Sequence, residues 1–292
     1  MPYLSVIIPL YNKEKQIQRT IDSVLNQEFS DFELIIVNDG STDRSIQIVE
    51  NIRDNRIRII NQPNSGVSAA RNRGMNEAQG KYVFLLDADD RLLQGAFTLL
   101  QDEHDEDIIL GSFNQTNFEG KVTRYSHNLI QGRVDDPFRA DCRKEIFLRI
   151  GNMFIKRDFL SNKEKLREDL SLYEDEEWIL RLLENATIYS YTQVILNYNR
   201  EDGGLSFGYK PIEKDWANIA SVKNVINKYR KRIIGDFVFK RIIIRLKYKD
   251  WHGVRVIWHN NSWHILYCTY AFVSRSLQGG YIKNYIRDHY NR

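Results

Sequence analysis

The chain has 292 residues, 42% of them hydrophobic and 28% charged; it can bury a sizeable core without a disulfide or metal staple and is too apolar for wholesale disorder. Two cysteines, Cys142 and Cys268, exclude a disulfide scaffold, and no run of roughly 18 apolar residues announces a transmembrane helix. The net charge of +3 conceals a split: residues 205–292 hold 17 basic and 5 acidic residues, whereas the remainder holds 25 basic and 34 acidic.

In chain order, residues 4–9 form a short apolar β-rich run that stops at Pro9 and read as a buried strand. Ile17, Ile21, Val24 and Leu25 then recur at helical spacing within residues 13–27. Residues 32–37 are a second buried strand. Asn38-Asp-Gly-Ser-Thr-Asp43 is a turn whose Ser, Thr and Asp can cap a helix over 43–53. Residues 56–60 predict a third strand, 66–78 a helix, and 81–86 a fourth strand running into Asp87-Ala-Asp-Asp90. Beyond 105 the alternation weakens. Strands are expected over 107–111, 113–118, 122–125, 187–191 and 193–199. Helices are expected over 139–149, 156–162 and 175–184, and helices dominate from 211 on.

Strand–helix alternation through residues 4–86 predicts an α/β fold, a mostly parallel sheet flanked by helices. Right-handed crossovers then bring the carboxyl end of every strand to one edge, where ligands of such sheets bind. Tyr11-Asn12, Asn38-Asp39, Asn64-Ser65 and Asp87-Ala-Asp89 all fall there. That convergence weighs more than any single motif. A composition change near residue 205 divides the chain into a domain over 1–205 and a basic, aromatic-rich helical region over 206–292. The first splits further into a ligand-binding half, 1–105, and a second half, 106–205.

The candidate chemistry follows from these positions. Asp87 and Asp89 either form a solvated turn, with Asp90 capping the next element, or hold a hard cation such as Mn²⁺ or Mg²⁺ and a sugar hydroxyl. The place at a strand end favours the second. Asp39, pointing off its strand, can accept from a base N–H. Ser65, Gly66, Ser68 and Ala69 open a helix with small residues, and Arg71 follows, to bond a base or phosphate or to make an ordinary salt bridge. Neither a dinucleotide fingerprint nor a P-loop is present. Glu174-Asp-Glu-Glu177 crowds four acids at a helix start; the dipole explains the bias, and like-charge repulsion suits one of them as a general base. Arg200, before Gly203-Gly204, either closes over a diphosphate or lies in a surface loop. The six histidines show no zinc spacing with the cysteines.

Taken together, LSVIIPLYN at 4–12, VNDGSTD at 37–43, NSGVSAARNRG at 64–74, LLDADD at 85–90 and EDEEW at 174–178 resemble the inverting glycosyltransferases of family 2, with the GT-A fold. The motifs run in the family's order and cover about residues 3–205. The resemblance implies a nucleotide-diphosphate sugar donor, most often UDP-linked, and a divalent metal. It implies that Asp39 contacts uracil, that Arg71 helps hold the nucleotide, that Asp87 and Asp89 contact the ribose and the metal, and that Asp175 is the catalytic base. Pro9, Tyr11, Ser65 and Arg200 complete the implied donor site. Two departures stand out: Tyr173 replaces the Gly that often precedes the E-D pair, and only Tyr198, Arg200 and Ser206 remain of a further basic segment.

The expected reaction is a single displacement: Asp175 takes the proton of an acceptor hydroxyl that attacks the anomeric carbon, inverting it. The expected enzyme is a hexosyl- or N-acetylhexosaminyl-transferase of bacterial polysaccharide synthesis, cytoplasmic or peripheral on the inner face of the plasma membrane, acting on a saccharide or lipid-linked acceptor. The alternative is a catalytically silent nucleotide-sugar-binding module. Residues 228–251 interleave basic and aromatic residues, with Lys231, Arg232, Lys240 and Arg241 expected on a solvated face. That segment either meets an anionic membrane or packs as a helical subdomain. No nucleic-acid partner is expected.

Overall fold

The computed structural model describes residues 1–117, 121–161, 165–199 and 211–278. They cluster into two compact units, one of Met1–Asp135 with Ile146–Gly204, the other of Asp136–Glu145 with Leu205–Arg292. The excursion over 136–145 therefore groups with the second unit, although the composition change lies near 205.

In the first unit, strand β1 (Leu4–Leu10) is buried along its whole length. Helix α1 (Ile17–Leu25) follows, then β2 (Phe32–Asp39), α2 (Ser45–Glu50), β3 (Ile57–Gln62), α3 (Val67–Glu77) and β4 (Tyr82–Leu85). β1 lies between β2 and β4 and is parallel to both, and β3 is parallel to β2. Near-continuous Val, Ile and Leu suit strands covered on both faces. Pro9 sits inside this central strand without breaking it. The β4 ladder ends at the Ile7–Leu85 pair, and Leu86 N–H donates to Ile7 O on that side. Pro9, two residues on, faces the same side beyond the ladder's end, so its missing N–H removes no bond.

After β5 (Arg91–Leu92) come β6 (Ile108–Thr116), β7 (Val122–Ser126), β8 (Gly132–Val134), helix α4 (Pro137–Cys142), β9 (Met153–Lys156), α5 (Arg157–Ser161), α6 (Glu174–Leu182) and β10 (Ile188–Asn199). The described residues form a ten-stranded sheet ordered β3-β2-β1-β4-β9-β6-β10-β5, with β7 on β6 and β8 on β10. The two strands expected over 107–118 are one, β6, and those over 187–199 are one, β10. The β6–β10 register shifts between Ser190 and Leu196, so Ser112 Oγ meets Thr192 O at 3.0 Å. Those polar residues sit at a bulge, which imitates a break in the hydrophobic pattern. The helix expected over 139–149 is only α4, capped by Asp136, which accepts from Arg139 N at 2.9 Å.

Phe84, Phe97 and Phe154 form a ring cluster on the sheet, with Phe84 and Phe154 centroids 4.6 Å apart and Phe97 6.1 Å from Phe154. Removing the fully buried Phe97 ring would cost about 3–5 kcal/mol.

The second unit is built on α7 (Lys228–Lys247), α8 (Trp251–Asn261) and α9 (Ile265–Gln278). Asn227 caps α7, accepting from Tyr229 N at 2.9 Å and Arg230 N at 3.0 Å. Trp216 stacks on Phe237 at 4.4 Å, and Gly235 lets α9 approach, since a Cβ there would lie 3.1 Å from Ala271 Cβ. Arg241 is not on a solvated face. Arg241 and Arg245 are buried and share Asp215, which is itself fully buried, with Arg245 Nη2 2.7 Å from Asp215 Oδ2. Lys240 pairs with Asp236 at 2.8 Å. Alternating cationic and apolar residues along α7 therefore pack inward in part, because a buried acid compensates the charge.

Candidate active site

The parallel order of β1, β2 and β4 places their carboxyl ends together on the first unit. Because β9 runs antiparallel to β4, with Phe84 opposite Phe154, the residues entering β9 lie at the same edge. So does the end of β10, where Asn199 N–H donates to Asp90 Oδ1 at 3.0 Å.

Asp39 ends β2 and is buried. Its Oδ1 accepts from Ser65 N and from Gln62 Nε2, both at 2.8 Å, and its Oδ2 from Gly66 N at 2.9 Å. Helix α3 has no side-chain cap of its own. Asp39 instead holds the two N–H groups that precede the helix, and with Gln62 these occupy three of a carboxylate's roughly four acceptor directions. Its first role is to fix the Gln62–Gly66 loop, with one direction left for a ligand. Gly40 makes the loop closure possible: it has φ +74°, and a Cβ would lie 2.8 Å from Asn64 N. Ser65 is exposed, its Oγ donating to Pro63 O at 2.9 Å.

Of the β1 end, Pro9 is buried and Tyr11 exposed. Asn12 adopts φ +51°, and its Oδ1 accepts from Thr42 N at 2.8 Å. Lys13 N donates to Ser45 Oγ at 2.7 Å, and Glu14 N to Asp43 Oδ2 at 3.1 Å. Ser41, Thr42 and Asp43 thus lock the second loop to the first and start α2.

The acidic turn after β4 is braced by α1. Thr20 Oγ1 lies 2.9 Å from Ala88 O and 2.8 Å from Asp90 O, and Arg19 Nη2 donates to Asp89 O at 3.0 Å. Arg71, buried on α3, donates from Nη2 to Asp87 Oδ1 at 2.7 Å and reaches Glu174 Oε1 with Nη1 at 3.5 Å. Lys13 Nζ lies 2.5 Å from Asp89 Oδ2. Asp90 is fully buried and forms no helix cap; besides Asn199 N–H it has Arg149 Nη2 at 3.7 Å.

These contacts separate the three carboxylates. Burial alone would lift Asp87, but Arg71 beside it, with Arg149 and Lys13 beyond, holds it below the usual range. Burial and the Asp87 charge raise Asp89, against Lys13. Burial pushes Asp90 well above the usual range against the opposing Arg149 charge, with Asp87 and Asp89 adding to it. Glu174 is raised by burial and by its neighbour Asp175, with Arg71 opposing.

The four-acid run of α6 divides by role. Glu174 turns to Arg71, and Glu177 pairs with Arg181 at 2.8 Å. Asp175 is half-buried, its Oδ1 accepting from Glu176 N at 2.9 Å. The helix begins at Tyr173, whose φ of +62° is left-handed. The backbone therefore has the conformation that glycine favours, although a tyrosine occupies it.

Arg71 thus links the β4 turn to the start of α6, joining Asp87 to the Glu174–Asp175 pair. Arg200 lies outside the described residues. Lys13, Arg19, Thr20 and Arg149 were not singled out from the sequence. Thr20 alone carried a signal: it lies three residues after Ile17 on the apolar stripe of α1, where a buried hydroxyl demands partners. Arg149 carried none, although its Cζ lies 3.2 Å from the Tyr198 ring centroid.

A ten-stranded sheet with a parallel amino-terminal half, acidic turns on its carboxyl edge and flanking helices defines the GT-A class of nucleotide-sugar glycosyltransferase folds. Solved structures agree: S. aureus TarS 1-349 in complex with UDP superposes with a TM-score of 0.68 at 19% identity, over 97% of this chain and 92% of that one. The same protein in complex with UDP-GlcNAc gives 0.64 at 21%, over 96% and 73%. At such identity the likeness is one of fold. The model of glycosyl transferase family 2 matches residues 5–162, and the chain belongs to that family. Similar sequences include the Bacillus subtilis minor teichoic acid biosynthesis protein GgaB, 31% identical over 263 residues, covering 84% of this chain and 29% of GgaB. Another is the uncharacterized glycosyltransferase EpsJ of the same organism, 45% identical over 108 residues, covering 36% of this chain and 31% of EpsJ. The matched stretches thus span under a third of each of these relatives. Among the described residues, no helix is long and apolar enough to cross a membrane.

Proposed function

We propose that the chain transfers one sugar from a UDP-sugar to a hydroxyl of a saccharide or lipid-linked acceptor in polysaccharide synthesis, by a single inverting displacement. The observation that carries this reading is the Arg71 bridge, which ties the Asp87-Ala-Asp89 turn to the Glu174–Asp175 pair. Membership of the family and the likeness to a protein solved with UDP and UDP-GlcNAc support it.

Each residue has a task in this reading. Asp39 keeps an acceptor direction for a base N–H while it fixes the Ser65 loop, and Tyr11 flanks the same edge. Asp87, held ionised by Arg71, accepts from the ribose. Asp175 takes the acceptor proton. It lies beside Glu174, which stays occupied with Arg71, so the pair divides into one positioning acid and one base.

The acidic turn also fits a divalent cation. Asp89 is crowded by like charge and already attracts a cation, the Lys13 ammonium, at 2.5 Å. Among the described residues no group of three or more potential ligands assembles by itself, so Asp89 and Asp87 would share the ion with donor phosphates. When bound, such an ion neutralises charge on the departing diphosphate.

The test is a screen of nucleotide sugars for metal-dependent thermal shift, followed by UDP release with acceptor extract. A shift with UDP-sugars and UDP release that requires acceptor are expected. A shift without any release would favour a silent binding module, and no shift with any UDP-sugar would overturn the reading.

A further inference from the structure

The basic and aromatic residues of the second unit do not spread evenly. Those of α7 are largely engaged: Arg241 and Arg245 are buried on Asp215, and Lys240 pairs with Asp236. Lys214, Lys223, Lys228 and Tyr270 are exposed singly elsewhere, but a continuous exposed run lies at the corner where α7 ends and α8 begins. Lys247, Tyr248 and Lys249 are exposed there, followed by Trp251, which is 67% exposed.

Along α8 the exposed residues are Trp251, His252, Arg255, Trp258 and His259, while Gly253, Ile257 and Asn261 are buried. Spacings of four, seven and eight from Trp251 put the exposed set on one face. Trp258 is 55% exposed and stands about 10 Å from Trp251 along the axis, two turns away and nearly in line. Two tryptophans in line on one flank can enter the same plane together.

Helix α8 itself contains no acid, and one exposed acid stands beside it: Glu213 Oε1 lies 3.8 Å from His252 Nε2. Asp250, at the corner itself, is turned inward: its Oδ1 accepts from Gly253 N at 2.9 Å and its Oδ2 takes Arg245 Nη1. With Glu213 set against His252, the rest of the exposed set, Lys247, Tyr248, Lys249, Trp251, Arg255 and Trp258, is cationic and aromatic. A second copy of the same face would oppose cation to cation. A surface of anionic phosphates over an apolar interior meets both halves of its chemistry, the lysines and arginine at the headgroups and the indole rings at the acyl boundary.

We propose that the α7–α8 corner, with Lys249, Trp251, Arg255 and Trp258 at its centre, is a seat for an anionic phospholipid bilayer. The helix lies in the plane of the interface and spans nothing.

The experiment is co-sedimentation of the full chain with phosphatidylcholine vesicles and with vesicles containing phosphatidylglycerol, at low and high salt. Binding to the anionic vesicles alone is expected, weakened by salt. Each basic residue near such a surface contributes roughly fivefold, the equivalent of ~1 kcal/mol, so Lys249→Glu with Arg255→Glu should weaken binding at least about 25-fold. Trp251→Ala with Trp258→Ala should abolish the part that survives high salt. If the charge reversal melts early, Lys249→Gln with Arg255→Gln gives the same reading without new charge. Equal partitioning to both vesicle types, none to either, or binding unchanged in both variants would overturn the proposal. So would sedimentation showing that the tryptophan variant converts a dimer to a monomer, which would assign the face to a second copy.

Discussion

Arg71 Nη2 lies 2.7 Å from Asp87 Oδ1, and the same guanidinium reaches Glu174 at 3.5 Å. One buried cation thus holds together two carboxylates that lie 87 residues apart in the chain. Arg71→Ala should cost about 3–5 kcal/mol, because it leaves two acids facing one another without compensation. Arg71→Lys keeps the charge and loses the fork, and should cost less. Denaturant unfolding of the three proteins measures the difference.

Asp89→Ala should leave the fold intact, since it removes a crowded carboxylate at a polar edge. Transfer should vanish, together with the metal-dependent part of donor binding. Calorimetric titration with Mn²⁺ in the presence of donor reads the second effect directly. Unchanged turnover in saturating Mn²⁺ would remove Asp89 from the site.

Asp175→Asn keeps shape and cannot accept a proton. Turnover should fall by about 10²–10⁴ with donor affinity little changed. Glu174→Gln should instead loosen Arg71 and lower thermal stability. The reverse outcome, with Glu174→Gln the more damaging to turnover, would shift the base by one residue.

Tyr173 is left-handed at the start of α6. Tyr173→Ala and Tyr173→Gly both remove the ring, but only Ala keeps a Cβ in this conformation. The Ala variant should be less stable than the Gly variant by about 1 kcal/mol, measured by chemical denaturation. Equal stability would mean that neighbouring contacts carry the turn at no strain.

Burial would raise the Asp43 carboxyl, but hydrogen bonds from Ser45 and from Glu14 N–H outweigh it and hold its pKa below the usual value. A pKa lower in the folded than in the unfolded chain gives stability that is complete above the unfolded value and is lost as pH falls through the folded one. Asp43→Asn should therefore cost about 1 kcal/mol at neutral pH. The gap should close below the carboxylate range, where the native residue is itself protonated. Thermal melts across pH follow the convergence.

Much of the site's edge was legible as sequence. Period-two burial fails in residues 4–10 and 32–39 because both sheet faces are covered, so continuous apolar runs announced parallel strands. Their ends then announced where Asp39 and Asp87 would stand. What each does was less legible: Asp39 ends β2, and its carboxylate is taken up by Gln62 and by the Ser65 and Gly66 N–H groups ahead of α3, a helix that begins 28 residues later. Asp90 read as a cap and is a buried acid tied to β10.

By itself, the sequence determined the alternation of elements, the edge on which polar turns gather, and the family to which the motifs belong. Those are local properties, set by hydrophobic period and turn chemistry. Tertiary structure alone decided the pairing of charges. Arg71 chose Asp87 and Glu174, Arg241 chose Asp215, and Arg149 came to Asp90 because β9 runs antiparallel to β4. Charge partners separated by tens of residues leave no periodic trace, since only burial makes their pairing obligatory.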